Sequence, residues 1–319
     1  MPRARPYDRG MNTFRFGVQV STAGSADQWR DLAKKIEALG YSSMYIPDHF
    51  DEQLSPLVAL TVAAEVTENL KVGSLVFDND YRHPLVLARE IATLDLLSSG
   101  RVECGIGAGW MTSDYIASGI TLDEPSVRVE RLEESVEILK QLWTNDSVSF
   151  SGKHYNLKAA RGFPKPVQSP YPKIVIGGGS PKVLRLAAKQ ADIVGINMRL
   201  SAGVIGSEVI AEADPGKFDS RIKWVREAAG SRIDDLEIQC LTFIVQVVPN
   251  GNEVRERVAP LFGMTPEIAA QVPVVLVGSE QEICETLQER RERWGYSYII
   301  VHEQEMEEFA PIVALLEGK

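Results

Sequence analysis

Cysteine is scarce, with three residues in 319, Cys104, Cys240 and Cys284, far apart and in no C-x-x-C pair. Such a set reads as neither a disulfide framework nor a zinc site, and a reducing cytoplasm is the compartment expected. Long apolar runs are missing: none approaches the roughly 18 residues of a membrane span, and the N-terminus has no hydrophobic signal region. A membrane or secreted protein is therefore not expected. Positive charge is short, 34 Lys and Arg against 44 Asp and Glu, for a net charge of −10 with no basic concentration. That balance repels a polyphosphate backbone, so nucleic acid is not an expected partner. H-E-x-x-H, G-x-S-x-G, the P-loop and paired metal-ligand spacings are all absent. Metal-dependent hydrolysis, acyl transfer and nucleotide hydrolysis are left without support, and no metal site is expected.

What the chain has is ordinary globular composition, 44% hydrophobic and 24% charged, and a regular alternation of patterns. Residues 1–13 carry Arg3, Arg5 and Arg9 among prolines and a glycine, without apolar periodicity, and read as a flexible leader. Strands are expected at 14–20, 43–46, 71–77, 102–106, 173–176, 192–196, 236–248 and 298–301, with a further short apolar run at 274–277. Helical spacing occupies 27–39, 57–66, 85–97, 127–143, 181–189, 218–229 and 280–294. Short, wholly apolar strands each followed by a helix indicate a parallel sheet covered by helices. About eight such units without a break in composition point to a (β/α)8 TIM barrel, one domain over 14–319, rather than a doubly wound sheet. Three irregular stretches, 145–172 with a β-hairpin, 198–217 and 249–273, read as insertion loops at the C-terminal face, where lids and binding segments lie.

In such a barrel function collects where the strands end. After the second strand, Pro47-Asp48-His49-Phe50 places a carboxylate beside an imidazole able to exchange protons near neutral pH. A helix cap with a satisfied histidine is the competing reading. Both side chains can enter a site only if the chain already turns at Pro47, because adjacent strand residues face opposite ways. The third strand runs into Gly73-Ser74-Leu75-Val76-Phe77 and then Asp78-Asn79, with His83-Pro84 suited to a helix start. The fourth ends in Gly105-Ile106-Gly107-Ala108-Gly109-Trp110. That G-x-G-x-G lacks the immediate helix of a dinucleotide fingerprint, but glycines at a strand end let something flat approach the backbone beside Trp110. The fifth leads into Gly177-Gly178-Gly179-Ser180-Pro181, with Ser180 as N-cap. This is either an anion site suited to phosphate or a plain tight turn. His154 and His302 are isolated in sequence and read as structural.

The segments YIPDHFD, VGSLVFDNDYRHPLVLAREIATLDLLSSGRVECGIGAGW, RLEESVEILKQLW, FSGKHYNL and KIVIGGGSPKVL together resemble the luciferase-like monooxygenase superfamily, in particular its coenzyme F420-dependent branch. The resemblance covers nearly the whole chain from Phe14. It implies a TIM barrel holding F420, or FMN as the alternative, at the C-terminal mouth, with His49 as catalytic proton carrier. It further implies cofactor contacts from Asp48, Ser74, Leu75, Asn79, Gly107, Ala108, Gly177, Gly178, Gly179 and Ser180. A non-prolyl cis peptide is expected on Ser74-Leu75. Where the sugar-phosphate dehydrogenases of this branch place a glutamate, this chain has Trp110, which argues against glucose-6-phosphate oxidation and for an apolar or unsaturated substrate. The implied activity is hydride transfer between the deazaflavin and a small organic molecule, by reduction of a C=C, C=N or C=O group. A reduced-FMN two-component monooxygenase is the alternative, and a non-catalytic flavin-binding barrel the alternative of another class. Relatives are often homodimers, and the same is expected here.

Overall fold

A computed structural model describes residues 12–200, 203–204 and 211–319. Most of the expected leader and part of the 198–217 insertion lie outside the described residues. The first half of the chain forms β1 (Arg15–Gln19), α1 (Ala26–Ala38), β2 (Ser43–Ile46), α2 (Pro56–Glu65), β3 (Lys71–Ser74), β4 (Phe77–Asp78), α3 (Pro84–Leu97), β5 (Val102–Gly107), α4 (Thr112–Ser118), α5 (Pro125–Thr144), β6 (Val148–Ser151) and β7 (Asn156–Ala160). The second half forms β8 (Lys173–Gly178), α6 (Pro181–Gln190), β9 (Ile193–Ile196), α7 (Pro215–Ala229), β10 (Glu237–Leu241), β11 (Ile244–Val247), α8 (Gly251–Val258), α9 (Pro266–Gln271), β12 (Val275–Gly278), α10 (Glu280–Trp294), β13 (Tyr296–His302) and α11 (Met306–Leu316).

Strands β1, β2, β3, β5, β8, β9, β10 and β13 pair in parallel in that cyclic order, and β13 closes onto β1. This is the expected eight-stranded barrel, with the helices packed outside it. Alternation along each strand separates two cores. Ile238 and Cys240 of β10 face the helices, whereas Tyr45, Val175, Ile193, Tyr298 and Ile300 fill the barrel interior. Local chemistry sets the ends of the outer helices. Ser279 and Glu282 cap α10 reciprocally, and Gly295, in the left-handed region, stops it.

Three expectations need correction. The 71–77 run is broken into β3 and the short β4, which pair with β5 at separate places along it. The 236–248 run is two strands, not one. Thr242 gives its N–H and its hydroxyl to Ile300 O at 2.9 Å, after which Phe243 N bonds to Val274 O. The chain thus changes partner, and β11 pairs with β12 in a two-stranded sheet outside the barrel. The stretch 249–273 carries α8 and α9 rather than an unstructured loop. The hairpin inside 145–172 forms as expected from β6 and β7. The Pro-rich segment after it is pinned by buried Asp95, which accepts from Val167 N and from Gln168 N and Nε2.

The N-terminal end of the barrel interior holds a polar layer. Arg15 forks onto Glu237 (Nε to Oε1 2.8 Å) and reaches Glu103 (Nη1 to Oε1 2.8 Å). Glu103 also accepts from the hydroxyls of Tyr45 and Tyr298.

Candidate active site

At the opposite end the strand termini surround a cavity of about 740 Å³. The chain has left β2 at Ile46, so Asp48 and His49, although adjacent, both line it. The His49 side chain meets a partner that the sequence pattern did not reveal. Its Nδ1 lies 2.7 Å from Asp114 Oδ2. Asp114 is buried on α4 and also accepts from Phe50 N (3.2 Å) and the Tyr81 hydroxyl (3.2 Å). With Phe50 N and Tyr81 already donating to it, Asp114 is placed to accept from Nδ1 of His49 as well, the tautomer that leaves the ring lone pair on Nε2. Burial beside Asp78 and Asp114 pushes the Tyr81 phenol well up, which keeps it a neutral donor. Trp110 stands edge-on to His49, ring centroids 5.6 Å apart, and lines the same cavity. No helix is expected from the sequence between 106 and 127, so α4 was missed, and Asp114 belongs to no motif that could have pointed to it.

Asp48 reaches the cavity wall with both oxygens already engaged. Oδ2 accepts from Arg82 Nη1 (2.5 Å) and Asp78 N (3.1 Å), and Oδ1 from Arg82 Nη2 (3.3 Å). It therefore braces the segment after β3. Asp78, also in the lining, shares the Tyr115 hydroxyl with Asp80, each Oδ2 lying 3.0 Å from it. Burial raises the Asp78 carboxyl to about 6; the charges of Asp80 and Asp48 add to the shift, while hydrogen bonds from Asp80 N and Tyr115 oppose it.

The non-prolyl cis bond is Leu75-Val76, one residue beyond the position expected. Leu75 and Val76 line the cavity between β3 and β4, and Leu75 O accepts from Gln19 Nε2 at 3.2 Å. The glycines of β5 make room for this segment. A Cβ on Gly105 would fall 1.9 Å from Ser74 O, and one on Gly107 would fall 2.6 Å from Val76 Cγ2. What approaches those glycines closely is thus the protein's own third strand. Gly107 and Ala108 still form part of the cavity wall.

On the far side, Gly177, Gly178, Gly179 and Ser180 all line the cavity at the start of α6. Part of the glycine requirement is packing, since a Cβ on Gly179 would fall 2.4 Å from Met198 O. The rest is polar: Ser180 caps α6, whose N-terminal dipole faces the cavity together with Arg128, Lys182, Arg185 and Arg199. The turn is thus tightly packed and also carries the cap of α6 on the cavity wall. Deeper down, Gln239 of β10 lines the floor.

Two expected cofactor residues are not brought to the cavity. Ser74 is buried with Oγ on Ile46 O (2.8 Å), and Asn79 is buried with Nδ2 3.3 Å from the Tyr155 hydroxyl. His83 caps α3, taking Leu85 N at 3.2 Å. His302 lines a second cavity of about 490 Å³, which His49 also borders.

A parallel eight-stranded barrel with a ligand-sized, partly cationic cavity at the carboxyl ends of its strands defines a small-molecule site of the TIM-barrel kind. Residues 11–296 match the luciferase-like monooxygenase family, and the chain belongs to it. It is 34% identical over 188 residues to an F420-dependent glucose-6-phosphate dehydrogenase of Amycolatopsis mediterranei (strain U-32), a match covering 55% of this chain and 56% of that protein. It is 30% identical over 184 residues to an FMNH(2)-dependent dimethylsulfone monooxygenase of Pseudomonas putida, covering 55% of this chain and 50% of that protein. The chain thus spans about half the length of these curated relatives. Its fold is shared with the coenzyme F420-dependent tetrahydromethanopterin reductase from Methanopyrus kandleri, TM-score 0.76 over 96% of this chain and 100% of that one, at 18% identity. Among the described residues no helix is long and apolar enough to cross a membrane.

Proposed function

We propose that the protein is an F420-dependent oxidoreductase that moves a hydride between the deazaflavin and a small organic substrate, reducing a C=C, C=N or C=O group. The observation that carries this reading is the His49–Asp114 pair on the wall of a glycine-floored cavity. The F420-dependent relative supports the cofactor class. When bound, the deazaflavin supplies the hydride from its ring carbon. The residues present suit such a group: glycines open the floor, the start of α6 and four cationic side chains suit an anionic tail, and a buried amide on the floor has an unused donor.

The protein's own part is orientation and proton handling. Asp114 holds the His49 ring by Nδ1 and leaves Nε2 to give or take the proton that must accompany hydride transfer. Tyr81 and Phe50 N fix Asp114 in turn. Trp110 offers an apolar face to an unsaturated substrate in place of the glutamate that the resemblance gives sugar-phosphate dehydrogenases, so glucose 6-phosphate is not the proposed substrate.

The test is a titration of the purified chain with F420 and with FMN, followed by cofactor fluorescence or absorbance. Saturable binding with preference for F420 supports the proposal; binding of neither ring sinks it. Preference for FMN would instead favour a reduced-FMN-dependent monooxygenase, the reading to which the Pseudomonas putida relative points.

A further inference from the structure

Strands β8, β9 and β10 lie side by side, and their register places Gly177 opposite Gly195 and Gly195 opposite Gln239. All three line the cavity. The two glycines leave a shallow, side-chain-free strip across β8 and β9. A Cβ on Gly195 would fall 3.2 Å from Gly177 Cα and 3.4 Å from Gln239 Oε1, so even alanine would begin to fill it. At the end of that strip sits the Gln239 carboxamide, on a residue 1% exposed. Its Nε2 has no hydrogen-bond partner among the described residues.

An unused buried amide N–H is costly, and native interiors rarely leave one. The polar layer below does not claim it. Glu237, two residues earlier on the same face of β10, is taken by Arg15, and Leu241, two residues later, is apolar. A carboxamide presents a donor and an acceptor in one plane. The edge that matches it is a cyclic imide, with N–H flanked by carbonyl oxygens. The pyrimidinedione end of a deazaflavin or flavin is such an edge on a flat ring of the kind the glycine strip admits.

We infer that Gln239 is the residue that recognises the imide edge of the ring, its Nε2 donating to a ring carbonyl oxygen and its Oε1 accepting from the imide N–H. The inference rests on the cofactor reading above. It concerns ring recognition, not the tail, and applies to either ring because both carry the imide.

The experiment is a fluorescence or absorbance titration of the full chain with F420, with FMN and with the N3-methylated form of whichever of the two binds. For the parent ring that binds, Gln239→Leu is expected to raise Kd about tenfold, the loss of roughly one good hydrogen bond. Against the N3-methylated ring, whose methyl group both removes the imide N–H and stands between the carboxamide and the ring edge, wild type should bind little better than Gln239→Leu. Equal affinity for the parent ring, or the same loss with the methylated ring, overturns the inference. Should the leucine variant fail to fold, Gln239→Glu keeps the shape and replaces the donor by an acceptor. It too should bind the parent ring more weakly than wild type, and equal binding is again fatal. If the wild-type chain binds neither ring, the cofactor reading itself falls. If it binds and the variants match it, only the role of Gln239 falls.

Discussion

The two ends of the barrel interior are built from the same eight strands and treat polar groups in opposite ways. At the N-terminal end Arg15, Glu103, Glu237, Tyr45 and Tyr298 satisfy one another. Burial alone would raise the Glu103 carboxyl, but the Arg15 guanidinium and the Tyr45 hydroxyl outweigh it and hold it below its ordinary range. At the C-terminal end Asp78 is pushed up to about 6 and Gln239 Nε2 has no partner among the described residues. The first end spends its polar chemistry on holding the strands in register. The second leaves some of it unpaired, at the end where barrels of this kind carry function.

That contrast can be broken or sharpened by substitution. The largest effect is expected at the closed end. Glu103→Leu removes one of the two carboxylates that hold Arg15 and leaves the buried Tyr45 hydroxyl without its acceptor, which should cost about 3 kcal/mol of stability, read by denaturant unfolding. A loss near zero would mean the layer is not needed. Next comes the mouth, where His49→Ala should lower turnover by about 10²–10⁴ while ring affinity and unfolding midpoint stay close to wild type. Unchanged turnover would remove His49 from proton transfer. Asp114→Asn should cost about tenfold in turnover, the equivalent of one orienting hydrogen bond, with ring affinity little changed.

The smallest effect is a pH dependence. The Asp78 carboxyl lies at about 6 against an ordinary 3.8, so the folded chain binds its proton more tightly than the unfolded chain. The associated stability is complete below about 3.8 and is lost as pH rises through about 6. Asp78→Asn should remove that decline, narrowing the stability difference between pH 4 and pH 7.5 by on the order of 1 kcal/mol. Identical pH profiles for the two proteins would show that Asp78 does not titrate as stated.

Much of this is legible in the amino-acid sequence. The strand at 43–46 and the helix at 280–294 have their expected bounds, because apolar runs between good stops leave few alternatives. The glycine turn and Asp48-His49 lay at strand ends, as the barrel requires. The 236–248 run misled because its β-branched residues suit any strand, and only the hydrogen bonds of Thr242 and Phe243 decide with which neighbour each half pairs. The cis bond was displaced by one residue because spacing from His83-Pro84 locates the bulge and not the peptide within it. Ser74 and Asn79 were expected as cofactor contacts from the resemblance, yet their side chains are turned to Ile46 and Tyr155.

Composition and periodicity by themselves determined the class of fold and the strand ends at which chemistry could sit, since burial of apolar faces depends on patterns local in sequence. Only the tertiary structure decided that Asp114 meets His49 from 65 positions away, and that Gly177, Gly195 and Gln239 share one level of the barrel. Those facts depend on strand register and barrel closure. Both are properties of the whole cycle of eight strands, which no segment carries alone.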